Sequence, residues 1–139
     1  MDPAAQSYID DMATKRGYVL EYHKVMAAAD FPVLQVANNV VSAAYLDQRR
    51  LDRRTKELLF ILSLTVMRAP HPQLKSHIQV ALDLGVTPEE ILEAIEIALP
   101  EAGIVAFQWG VEAWQAVVGI EALEPSVAVH SGKTDTPTP

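Results

Sequence analysis

The chain has 139 residues, half of them hydrophobic, which suits a single domain with a core of its own. Eleven basic against eighteen acidic residues leave a net charge of −7, which repels a phosphate backbone, so nucleic acid is not an expected partner. With no cysteine, disulfides, thiolate metal sites and cysteine nucleophiles are all excluded. The longest apolar run, residues 58–67, is interrupted by Ser63 and Thr65 and falls short of the ~20 residues of a membrane span. The opening "MDPAAQSYIDDMATKRG" has no basic stretch leading into an apolar one, so no membrane partner and a cytoplasmic location are expected.

Apolar residues recur at helical spacing throughout, and no strand-length alternation is visible, so the expected fold class is all-α. A first helix is predicted over 5–28, loosened at Gly17. Asp30 can cap a second, whose Val33, Val36, Ala37, Val40, Val41 and Ala44 form one stripe expected to face inward. A third opens at "LDRRT", with Asp52 as cap, and runs to about Met67. Its Leu58, Leu59, Phe60, Ile61, Leu62, Leu64 and Val66 go round every side, so it is expected to be central and covered on nearly all sides. The run "QRRLDRRTK" at its start reads more readily as a solvated helix entry than as a binding stripe.

"APHP" breaks that helix, and Pro72 suits the first turn of a fourth, which Gly85 ends. In "TPEE", Thr87 and Glu90 make a capping box that starts a fifth. After Pro100, "EAGIVAFQWGVEAWQAVVGIEAL" is a sixth helix whose Gly103, Ala106, Gly110 and Ala113 would let another backbone come close. From residue 125 the composition turns to Ser, Thr, Pro and Gly, so the domain is expected over 1–124 with a tail over 125–139 that is mobile unless a neighbouring subunit pins it.

His77 shares a helix face with Leu74, Ile78 and Ala81, which buries it or turns it into a pocket. It is either a core histidine satisfied by a carbonyl or carboxylate, or a general acid or base working near neutral pH. His71 lies six residues earlier and therefore on another side, and His23 and His130 fall in unrelated segments, so no metal is expected. Glu57 has Phe60, Ile61 and Leu64 at i+3, i+4 and i+7. Either it is a wet first-turn acid favoured by the helix dipole, or burial raises its pKa and His77 is its donor across the short "RAPHP" link. Glu101 is likewise either a helix-terminal acid or a second proton-transfer group. Arg53, Arg54 and Arg68 are the cations nearest in sequence that can hold a substrate carboxylate, with surface duty the alternative for each. Trp109 and Trp114 read as core, with pocket lining the alternative.

The order of "LDRRTKELLFILSLTVM", "QLKSHIQVALDLGVTPEEILEAI" and "EAGIVAFQWGVEAW" resembles the carboxymuconolactone decarboxylase family, which also contains the alkylhydroperoxidase D-type proteins. The resemblance implies an alkylhydroperoxidase D-like bundle of about six helices, assembled as a homotrimer or homohexamer. In the family's peroxidase branch a CxxC pair precedes the histidine. Pro70 and Gln73 stand at those positions here, so thiol-based peroxide reduction is chemically excluded. The cysteine-free branch remains. Its fifth helix is usually followed by a Tyr-Ala-Gly-Val-Pro-Ala-Ala-Asn-like segment, whereas this chain has "EAGIVAFQ", which implies an altered pocket.

The function implied is cofactor-free decarboxylation of a small carboxylated lactone or keto acid. His77 would be general acid or enolate-oxygen donor, Glu57 its orienting partner and Glu101 a second proton-transfer group, with Arg53, Arg54 or Arg68 and Trp109 binding the substrate. A non-catalytic ligand-binding or scaffolding oligomer, and an isomerase or lactone hydrolase on the same fold, are the alternatives.

Overall fold

Gly17 ends the first helix rather than loosening it. In the computed structural model, which describes residues 1–122, α1 runs Pro3–Arg16 and Gly17 takes φ 86°, a left-handed conformation that halts the helix. The expected single helix over 5–28 is therefore two, with α2 at Glu21–Ala29. Then follow α3 (Phe31–Val41), continued by a π-helical turn over Ser42–Leu46, α4 (Arg53–Val66), α5 (His71–Asp83), α6 (Pro88–Glu96), α7 (Ala98–Ala102) and α8 (Ile104–Val118). The described residues hold no strand. The tail expected over 125–139, with His130, lies outside them.

The caps read from the sequence are in place. Asp30 accepts from the Val33 amide at 3.3 Å and Asp52 from the Thr55 amide at 2.7 Å. At the start of α6 both halves of the capping box form, Glu90 N donating to Thr87 Oγ1 at 3.1 Å and Thr87 N to Glu90 Oε2 at 2.8 Å. Thr87→Ala is expected to lower unfolding stability by about 1 kcal/mol, read from the urea midpoint, and no change would deny the cap that role.

Two apolar clusters divide the molecule. The larger joins α4, α5, α6 and α8 through Ile61, Leu74, Ile78, Ile91, Ile95 and Trp114, and the smaller joins α1, α2 and α3 through Ala5, Ile9, Met12, Ala27 and Leu34. Within the larger, α8 lies so close that a Cβ on Gly110 would come 2.6 Å from Thr65 Cγ2 and 2.8 Å from Ile95 Cγ2. The small-residue face thus serves packing inside the chain. Its Gly103, however, stands at the break between α7 and α8 rather than on that face.

Two expectations about coverage are corrected. On α3 the stripe faces outward: Val33, Val36 and Val40 are 52%, 66% and 67% exposed, and Leu34 is the buried residue of that helix. α4 is central, yet Leu59 and Val66 are exposed in the single chain. Helical periodicity reports that a face must be covered and is silent on whether the same chain covers it.

Candidate active site

The site lies where the two clusters meet. Glu57 sits one turn into α4, four residues beyond Arg53, and is fully buried. On α5, Leu74, Ile78 and Ala81 are 0% exposed against the core, and the same packing carries His77 inward to 2% exposure. His77 Nδ1 meets Glu57 Oε2 at 2.7 Å. The donor expected for a buried Glu57 is thus the histidine twenty residues on.

Glu57's other oxygen is also held: Oε1 accepts from the Tyr45 hydroxyl and from Arg53 Nε at 3.1 Å. Arg53 Nη2 continues to the Tyr45 oxygen at 3.0 Å and the Arg16 carbonyl at 2.9 Å, and its guanidinium lies 4.6 Å from the Tyr45 ring centroid. Burial pushes the Glu57 carboxyl above the usual carboxylate range, and the His77 hydrogen bond and charge pull it back. Phe60 stacks on the imidazole at 4.6 Å and 12°. Nε2 faces the hydroxyl of Tyr18 at 3.3 Å, a long contact for such a pair. Burial pushes the Tyr18 phenol up, opposed by the charge of Arg16, so it stays protonated at neutral pH.

Tyr18 and Tyr45 are site residues that the sequence reading missed. Tyr18 follows a helix-ending glycine and Tyr45 sits in the π-helical turn, and neither place carries a pattern that points to a site.

The other predicted residues lie elsewhere. Glu101 is exposed on α7, and no described hydrogen bond or ion pair links it to His77. Arg54 is exposed, 3.7 Å from Glu90 and 3.3 Å from the Gly85 carbonyl. Arg68 is exposed in the link between α4 and α5, with φ 51°. Trp109 donates to the Ala69 carbonyl at 2.8 Å and packs on His71, ring centroids 4.0 Å apart. His71 and His77 are therefore on different sides, as their spacing requires. Of the three arginines, Arg53 alone reaches the pair.

A cavity of about 300 Å³ between the π-helical turn and α4 is lined by Tyr45, Arg49, Arg50, Arg53 and Lys56. A second, of about 310 Å³, is walled by Leu51, Leu59 and Phe60. Both reach residues that touch the Glu57–His77 pair, Tyr45 and Arg53 in the first and Phe60 in the second.

Beside the site lies a second buried polar group. Arg16 is 4% exposed and His23 1%. His23 Nδ1 accepts from the Leu20 amide at 3.0 Å. Burial, then the charge of Arg16, pushes His23 down to about 4. Because the folded value lies below the ordinary 6.5, the contribution of His23 to stability is present above pH 6.5 and lost as pH falls through about 4. The loss is on the order of 3 kcal/mol. Glu57, whose value is raised, acts in the opposite sense, so His23→Gln isolates the histidine: the variant's urea midpoint should fall less between pH 7 and pH 4 than the wild type's. Equal slopes would contradict this.

The family model described as Carboxymuconolactone decarboxylase family matches residues 32–116, most of the chain, so the protein belongs to that family. With its all-helical architecture, this gives it the alkylhydroperoxidase D-like fold. Comparison with curated proteins and with solved structures returned no match.

Proposed function

We propose that the protein is a cofactor-free carbon–carbon lyase that decarboxylates a small carboxylated lactone or keto acid, with His77 as proton donor and Glu57 as its orienting partner. The observation that carries this reading is the buried pair itself, with Nδ1 fixed on Glu57 at 2.7 Å and Nε2 turned toward Tyr18. The donor form in this scheme carries two protons, one between Nδ1 and Glu57 and one on Nε2, as carboxylate with imidazolium or as carboxylic acid donating to a neutral ring. As the bond to the departing CO2 breaks, its electron pair forms an enolate. Nε2–H then protonates carbon, and the ring regains a proton from solvent by way of the Tyr18 hydroxyl.

Arg49, Arg50 and Lys56, on the cavity that reaches Tyr45 and Arg53, outnumber its Asp47 and Asp52 and favour a carboxylated substrate. Arg53 orients Glu57 in this scheme, while Glu101, Arg54, Arg68 and Trp109 have no part in it within one chain. The test is CO2 release from γ-carboxymuconolactone and a small panel of β-keto acids and lactones. Release supports the reading, and a panel without release counts against it. A product formed without loss of CO2 would instead identify an isomerase or lactone hydrolase.

The exposed valines of α3, with Leu59, Met67, Ile104 and Val105, support burial against another chain; the assembly proposed is a homotrimer or homohexamer, and the proposed location is the cytoplasm. Light scattering that found a monomer at micromolar concentration would contradict assembly. A non-catalytic scaffold is the second reading, favoured by the near-complete burial of Glu57 and His77 and by the pairing of both Glu57 oxygens.

A further inference from the structure

Arg16 is a buried cation without an anion. It closes α1, where the partial negative charge of the helix end favours a base, yet the Arg16 carbonyl is already taken by Arg53 Nη2. Its guanidinium donates through Nη2 to Asn38 Oδ1, and Asn38 Nδ2 donates to the Tyr8 hydroxyl at 2.6 Å. Nε is buried and has no partner. Nη1 faces His23 Nε2 at 3.4 Å, but that contact is not a good one. Since Nδ1 of His23 accepts from the Leu20 amide, the neutral ring carries its hydrogen on Nε2, and two donors confront each other. Asn38 Oδ1 and the Tyr18 phenol oxygen are then the acceptors near the guanidinium among the described residues, and neither is an anion. A buried lysine or histidine can shed its proton, whereas a guanidinium keeps its charge, so an unpaired one is costly.

The same residues wall a cavity. Arg16, Asn38 and Tyr8 line a space of about 250 Å³ between α1 and the end of α3, together with Asn39, Ser42 and Leu46. Asp11 also borders it, but its carboxylate is 2.7 Å from Lys15 Nζ, so that pair brings no net charge. The wall therefore combines one uncompensated positive charge, neutral hydrogen-bonding groups and a leucine.

We infer that this cavity is a binding site for a small monocarboxylate, whose oxygens accept from the Arg16 guanidinium while its carbon body lies against Leu46 and Met12. A carboxylate brings one negative charge to the one unpaired positive charge of Arg16. A phosphate dianion would bring a second charge with only Arg16 unpaired to meet it and Asp11 nearby. The cavity adjoins the Glu57–His77 site through the Arg16 carbonyl, which Arg53 Nη2 holds, but includes neither member of the pair, and its occupancy requires no turnover.

The experiment uses the full chain in a buffer free of carboxylates, at constant ionic strength set with chloride. Propionate is titrated while the melting temperature and the NMR titration of His23 are followed, with inorganic phosphate as a second probe. Propionate is expected to raise the melting temperature saturably, by about 3 °C or more once it exceeds its Kd about tenfold. It should also raise the titration midpoint of His23 from about 4, because an anion on Arg16 offsets the charge that holds that midpoint down. Arg16→Met should lose affinity at least about tenfold.

Asn38→Asp keeps the test decisive where Arg16→Met does not fold. It places a carboxylate beside Arg16 and should abolish propionate binding while the protein melts no lower than wild type at pH 7. Absence of any saturable response of the wild-type protein to propionate would overturn the inference, as it would if a carboxylate of a second copy already held Arg16. An equal response in Asn38→Asp, or saturation by phosphate in preference to propionate, would overturn it too.

Discussion

Glu57→Ala is expected to destabilise the fold by about 3–5 kcal/mol, the scale for breaking a buried ion pair by removing one partner. The carboxyl group is fully buried and hydrogen-bonded to three groups on three elements: His77 on α5, Tyr45 in the π-helical turn and Arg53 on α4. Truncation leaves all three without that partner and opens a void in the buried site. The Arg53 side chain is 26% exposed and recovers part of its hydration, but His77 and Tyr45, at 2% and 1%, do not. Glu57→Gln keeps the volume and one carbonyl acceptor, so it should lose markedly less. Urea unfolding of both variants at pH 7 measures the difference. A loss under about 1 kcal/mol for Glu57→Ala would mean that the buried carboxyl group does not tie α4 to α5 and the π-helical turn.

Gly110→Val is the second large effect, at about 3 kcal/mol. Even the first carbon added at this position meets Thr65 Cγ2 at 2.6 Å, Thr65 Oγ1 at 2.8 Å and Ile95 Cγ2 at 2.8 Å. Thr65 and Ile95 are themselves 0% exposed, so neither has room to step aside. Gly110→Ala separates the two opposing effects. Helix propensity alone would favour alanine by about 1 kcal/mol, so a net destabilisation by alanine shows that the close approach of α8 to α4 and α6 outweighs it. A stabilised Gly110→Ala would show instead that α8 has room to shift outward.

The capping signals at Asp30, Asp52 and Thr87 were legible because each depends on two or three adjacent residues and on backbone amides that any helix leaves unpaired. His77 was legible as an inward residue for the same local reason, its place between Leu74 and Ala81 on one face. The valine stripe of α3 was legible as apolar and not as outward-facing, since its spacing says nothing of what covers it. Arg16 was illegible: a basic residue in the last turn of a helix reads as solvated, and its burial follows only from how α2 and α3 fold over it. Tyr18 and Tyr45 reach the site across 59 and 12 residues of sequence, distances over which no local pattern speaks. Arg54 and Arg68 are near the pair in sequence and Glu101 has apolar neighbours on a continued helix, but neither signal fixes direction, and all three side chains are at the surface.

The most direct test of the central claim compares wild-type protein with His77→Ala and His77→Gln for CO2 release from whichever compound of the panel is turned over, each variant first shown to be folded and assembled as the wild type. If His77 Nε2 delivers the proton, release should fall by a factor of about 10²–10⁴ in both variants, since neither side chain can act as an acid near neutral pH. Release at the wild-type rate from a folded His77→Ala protein would contradict the account and leave the Glu57–His77 pair as a structural tie between α4 and α5.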